Sequence, residues 1–113
     1  MSSDNKEQAK DIGKLIANSR EKLGLSQSKC IRYLNEKVKE YEEKYGIKIG
    51  YFSIKTLQQW EQGNRNIKNS SDNCKKIILS VFLDIPINNF YTTYEINLYK
   101  ILNDKLNKLL TNM

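Results

Sequence analysis

Apolar side chains recur along the chain every three to four positions, the period of an α-helix rather than a strand. The first ten residues are polar and read as an N-terminal arm or an early helical turn, with Asp4 and Glu7 at capping-box spacing. Ala9, Ile12, Ile16 and Leu23 then mark one face of a first helix that Gly24 stops. Ser26 is a good N-cap for a second helix. Its apolar series, Cys30 or Ile31, Leu34, Val38, Tyr41 and Tyr45, runs to Gly46 and predicts about 19 residues spanning about 28 Å. The alternating stretch from Ile47 to Phe52, with glycine at both ends, reads equally well as an extended loop or a brief strand.

Ser53 caps a short helix that runs through Gln62 to Gly63, with Leu57 and Trp60 as its core pair. Polar residues 64–69 lead to Ser70 and Ser71 and a fourth helix, where Ile77, Ile78, Val81 and Phe82 are core candidates. Asp84-Ile85-Pro86 ends it, and residues 87–91 form a turn. A last helix, Thr93 to Leu110, carries Ile96, Tyr99, Leu102, Leu106 and Leu109 on one stripe, widened by Leu98 and Ile101. The expected fold is all-α with five helices, an extended second helix and a C-terminal helix. Residues 1–10 are the arm, 11–91 the main domain, and 92–113 a candidate dimerisation element.

At 113 residues the chain suffices for one small core. A net charge of +6 and a pI near 9.3 point to polyanionic partners. The absence of histidine excludes Ser-His and Cys-His nucleophile pairs and ordinary zinc sites. No phosphate-cradling glycine motif is present, and the carboxylates stand mostly beside lysines, as in Glu40-Tyr41-Glu42-Glu43-Lys44. We therefore expect neither catalysis nor a metal nor a cofactor. Cys30 and Cys74 read as reduced thiols, and with no apolar run of membrane length the expected location is cytoplasmic.

The block from Ser53 to Arg65 carries the most chemistry. It is a short capped helix with amide and lysine side chains on one face and a Leu-Trp pair on the other. The DNA major groove, about 12 Å wide, admits one such helix. Glutamine pairs with adenine in bidentate fashion and lysine reaches guanine acceptors, so Lys55, Gln58 and Gln59 suit base reading.

The chain resembles the lambda-repressor-like (Cro/XRE) helix-turn-helix regulators. The resemblance is carried by Ile12–Ile16 through Arg20-Glu21-Lys22-Leu23-Gly24-Leu25-Ser26-Gln27, by Thr56-Leu57-Gln58-Gln59-Trp60-Glu61-Gln62-Gly63-Asn64-Arg65, and by Leu83–Phe90. It implies that Gln27, with the amides at its helix end, contacts a DNA phosphate. It implies that Ile54, Lys55 and Gln59 sit at base-reading positions with Gln58 beside them, and that Gln62, Asn64 and Arg65 approach the opposite backbone. Arg20 and Glu61 match a partly buried ion pair that joins the first and third helices. In the family a tight turn joins the helices that begin near Gln27 and Ser53. Here 26 positions separate the two residues, so the resemblance comes with an added element bearing Lys37, Lys39, Lys44 and Lys48.

Each assignment has a plainer competitor. Leu57 and Trp60 read as core rather than stacking platforms, and Gln58 and Gln59 can be ordinary solvated residues. Lys75-Lys76 and the Lys/Glu alternation of residues 36–44 read as solvated surface. The seven tyrosines allow a single-strand stacking reading, although most fit helical core or rim spacing. The expected function is sequence-specific recognition of double-stranded DNA by a homodimeric repressor, a small autonomous regulator of a phage or mobile element. An antitoxin-like protein-interaction module and an RNA-binding protein are the alternatives.

Overall fold

Five α-helices carry the fold: α1 (Ser2–Lys22), α2 (Gln27–Tyr45), α3 (Ile54–Glu61), α4 (Asn73–Leu83) and α5 (Thr93–Thr111). Single 3₁₀ turns over Ile67–Asn69 and Ile87–Phe90 flank α4. The structure is a computed structural model that describes residues 2–111, with side chains over 6–109 apart from positions 93 and 99. The Asp4 half of the expected capping box and the Tyr99 position of the C-terminal stripe lie outside the described side chains. Among the described residues there is no strand, and no helix is long and apolar enough to cross a membrane.

Of the two readings of the polar N-terminal stretch, the helical one holds over residues 2–10: α1 runs unbroken from Ser2, and Ala9 is already buried. Ile12 and Ile16 join the core as expected, but Leu23 is exposed. It lies beyond the last helical residue, where the chain turns through Gly24, and Leu25 packs against the core instead. Ser26 caps α2 by accepting from the Lys29 N–H at 3.1 Å, and Cys30, Leu34 and Val38 are fully buried along it. Tyr41 packs against the same core, whereas Tyr45 at the end of the helix is exposed.

The added segment after α2 is a coil, tied down by α2 itself. Asn35 accepts from the Phe52 N–H at 2.7 Å and donates to the Phe52 carbonyl at 3.0 Å, as a neighbouring strand would. Two turns further on, the Glu42 carboxylate accepts from the N–H groups of Ile49 (2.7 Å) and Gly50 (3.1 Å). Asn35, Val38 and Glu42 share a helix face, so Ile49 and Phe52 are buried while their backbone groups find partners. Irregular backbone can enter a core only on such terms.

Helix α4 buries a face rotated from the one expected. Ile78 is buried and Phe82 packs against the core, but Ile77 and Val81 are exposed, and the buried face runs on through Lys76, Leu79, Ser80 and Leu83. A lysine in that series marks the face as surface in the sequence. In the fold the Lys76 ammonium donates to the Lys68 carbonyl at 3.0 Å, sits 3.7 Å from Glu95, and lies over the Tyr91 ring. Burial pushes its pKa below the usual 10.5, partly offset by Glu95. Glu95 also accepts from the Thr92 N–H and hydroxyl, both at 3.0 Å, and Thr92 caps the Glu95 N–H in return. Lys76 is therefore not solvated surface; it seats the first turn of α5.

Helix α1 crosses the end of α3 at backbone distance. A Cβ on Gly13 would stand 2.3 Å from the Trp60 carbonyl oxygen and 2.7 Å from that of Glu61. Gly13→Ala is expected to push the two helices apart and to cost about 1–3 kcal/mol, measured by urea denaturation. A second expectation concerns acid. The Ile49 and Gly50 N–H groups hold the Glu42 carboxyl below its usual pKa of 4.5. Its contribution is thus present above that value and lost as pH falls through the depressed one. Glu42→Gln should lower the melting temperature at about pH 7, and the gap from the unaltered protein should narrow as pH falls below the usual carboxylate value and through the depressed one.

Candidate nucleic-acid interface

Helix α3 has a firm start and a firm anchor. The Ser53 hydroxyl accepts from the Thr56 N–H at 3.1 Å and donates to the Thr56 hydroxyl at 2.8 Å. Leu57 and Trp60 are buried, and the indole meets the Phe52 ring edge-on at 6.4 Å. With that face committed to the core, Ile54 and Lys55 stand exposed, while Gln58 and Gln59 are half-buried beside them.

The pair suggested for Arg20 and Glu61 forms as a bidentate fork. Arg20 Nε donates to Glu61 Oε2 at 2.8 Å and Nη2 donates to Oε1 at 2.9 Å, with side chains 11% and 6% exposed. Nη1 donates to the Leu25 carbonyl at 2.7 Å, which fixes the loop before α2. Glu61, hydrogen-bonded to the guanidinium, raises the Arg20 pKa further above its already high usual value.

Gln27, the first residue of α2, extends this network. Its amide donates to Glu61 Oε1 at 3.0 Å, and its oxygen accepts from Gln58 Nε2 at 3.3 Å. A chain of four side chains, Arg20–Glu61–Gln27–Gln58, therefore joins α1, the start of α2 and the half-buried side of α3. Two residues assigned to different DNA contacts, Gln27 and Gln58, here hold one another. Beyond α3, the Asn64 and Arg65 N–H groups both donate to the Gln59 carbonyl, at 2.9 and 3.2 Å. Arg65 Nη1 reaches Gln59 Oε1 at 3.4 Å, and Asn64 Nδ2 donates to Gln62 Oε1 at 3.0 Å. Gln62, Asn64 and Arg65 are all exposed on this loop. Gly63 permits its return, having φ +77° and Lys10 packed where a Cβ would stand.

Beside the N-terminus of α3 lies a polar groove of about 680 Å³, lined by Lys6, Tyr51, Ser53, Arg65, Asn69 and Lys75 among others. Lys6 and Lys75 come from opposite ends of the domain, and no spacing in the chain signals that they meet. The four lysines of the added element behave differently. Lys37 pairs with Glu40 at 3.3 Å and Lys44 lies over the Tyr45 ring, so these two are engaged on the α2 surface. Cys30 is buried and Cys74 exposed; both are free. Burial pushes the Cys30 thiol above its usual pKa.

No family model matches the chain, and no curated protein or solved structure matches it either.

Removing Arg20 would leave the Glu61 carboxylate in place with Gln27 as its remaining side-chain partner. Arg20→Ala is expected to destabilise the fold by about 3–5 kcal/mol in chemical denaturation. A loss below about 1 kcal/mol would mean that the fork does not hold α1 to α3.

Proposed function

We propose that the protein is a sequence-specific, double-stranded DNA-binding regulator of transcription, a repressor that occupies its operator. The observation that carries this reading is the outward face of α3. Ile54 and Lys55, exposed, and Gln58 and Gln59, half-buried beside them, form one row on a helix whose opposite face is locked into the core, within a chain of net charge +6. A helix inserted in the major groove needs that combination: freedom on one side, rigidity on the other, and attraction to phosphate from the surface around it.

The roles divide by chemistry. Lys55 and Gln59 read base edges, Ile54 makes apolar contact with thymine methyl groups, and Gln58 supports the row from its bond to Gln27. Gln27 at the start of α2, with Gln62, Asn64 and Arg65 in the loop after α3, contacts phosphates and sets the register. Pairing of two copies through α5 doubles the footprint and requires half-sites about 34 Å apart or a multiple of that. A cytoplasmic location and a role as a small regulator of a mobile element accompany this reading.

A second reading, an antitoxin-like or accessory protein-interaction module, draws on the apolar side chains left open on α4 and α5. The two readings, and RNA binding with them, separate in one titration. Labelled random duplex, single-stranded DNA and RNA are compared at two salt concentrations, after bound duplexes have been selected from a random library. Duplex selection with a steep salt slope is expected; no duplex binding at low salt removes the proposal.

Lys55→Ala and Gln59→Ala should each relax sequence preference, with a loss of discrimination of about 1–3 kcal/mol, while circular dichroism stays unchanged. Gln27→Ala should weaken binding to every duplex by a similar factor. Preference that survives both α3 changes would show that another element reads the bases.

A further inference from the structure

Two apolar surfaces stand open on the same chain. One is a groove of about 370 Å³ between the second half of α2 and the outer face of α4, walled by Tyr41, Tyr45, Ile47, Ile77, Val81 and Phe82. Ile77 is 48% exposed and Val81 74%. The other is helix α5, where Leu98, Ile101, Leu102, Leu106 and Leu109 are each between 42% and 61% exposed. Their spacing, i, i+3, i+4, i+8 and i+11, puts them on one helix face, the pattern of a helix that lies in a groove.

The chain is also too open for its size. Its accessible surface is 8041 Å², against about 6,400 Å² for a compact monomer of 13.2 kDa. Its radius of gyration is 16.0 Å, against about 13 Å for a compact domain of this length. The excess area, roughly 1,600 Å² per chain, is about twice what each partner gives to a standard interface.

We propose that α5 of one copy seats in the α2–α4 groove of a second copy, and reciprocally. Each chain supplies one helix and one groove, so a two-fold exchange covers all four surfaces and closes. Pairing of α5 with α5 alone would leave Ile77, Val81, Tyr45 and Ile47 in water. Folding α5 back onto its own groove would pull its first turn away from Lys76 and Thr92, which hold Glu95. The inference deepens the pairing part of the DNA-binding reading, but its test contains no DNA, so either can fail alone.

Cys74 lines the groove and Cys30 is buried, which gives one native thiol as a reporter. Leu98→Cys, Leu102→Cys and Leu106→Cys are introduced singly into the full chain, oxidised with diamide and run on non-reducing gels. At least one is expected to give a covalent dimer of twice the 13.2 kDa chain, lost when Cys74→Ser is added. Three outcomes overturn the proposal: no dimer from any position, a dimer that survives Cys74→Ser, or a disulfide formed within one chain. Separately, the unaltered chain should sediment as a dimer, and Val81→Lys, at an exposed position, should sediment as a monomer with unchanged circular dichroism. A Val81→Lys chain that stays dimeric, or an unaltered chain that is monomeric, overturns it as well.

Discussion

The fork between Arg20 and Glu61 sets the relation among three helices. A planar guanidinium offers donors in fixed directions, and all three of its nitrogens are used: two toward Glu61 and one toward the Leu25 carbonyl. An apolar pair of equal volume would fill the same space without fixing an angle. A buried ion pair is weak evidence for stability in itself, because desolvation offsets much of the attraction. Its consequence here is orientational: α1, the loop that starts α2 and the end of α3 are held in one register. Gly13 makes the register possible by letting the α1 backbone touch the last carbonyls of α3.

The elongated α2 and the coil after it show how the chain lengthens a connection without loosening the seat of α3. Seven residues of coil return from Gly46 to the cap of α3 at Ser53, and α2 side chains take the place of a partner strand for them. Because Asn35 bonds both backbone groups of Phe52, the residue beside the Ser53 cap is held as firmly as α2 itself. Phe52 then supports Trp60 edge-on. The added element is thus part of the wall behind α3, in contact with the same core.

Much of the fold is legible where the signal is local. Ser26 and Ser53 as caps, Gly46 and Gly63 as stops, and Leu57 with Trp60 as an inward pair all depend on residues within a turn or two of one another. The coil of 46–52 is ambiguous in the sequence because the groups that satisfy it, Asn35 and Glu42, look like ordinary polar positions on a solvated helix. The buried face of α4 is hidden because Lys76 reads as surface, and its burial is allowed by Glu95, nineteen positions away, with a carbonyl from the turn before α4. For the candidate interface, the exposure of Lys55 comes from helix geometry. The bond between Gln27 and Gln58 spans 31 positions and arises from no local pattern.

A lysine buried at the start of α4 is a costly choice unless it specifies something that an apolar residue could not. Methionine would fill the same volume, but it would leave the Lys68 carbonyl without the ammonium donor and Glu95 without its cation. The first turn of α5 would then rest on Thr92 alone. With Lys76 in place, the ammonium is shared by a carbonyl, a carboxylate and an aromatic face. The direction in which α5 leaves the domain is therefore set by a polar contact, while its apolar stripe is left uncovered. Apolar contacts slide and repack at little cost, whereas a desolvated lysine with three partners in fixed directions does not. A helix aimed in this way presents its stripe at one angle before any partner arrives, and less ordering remains to be done when the stripe is covered.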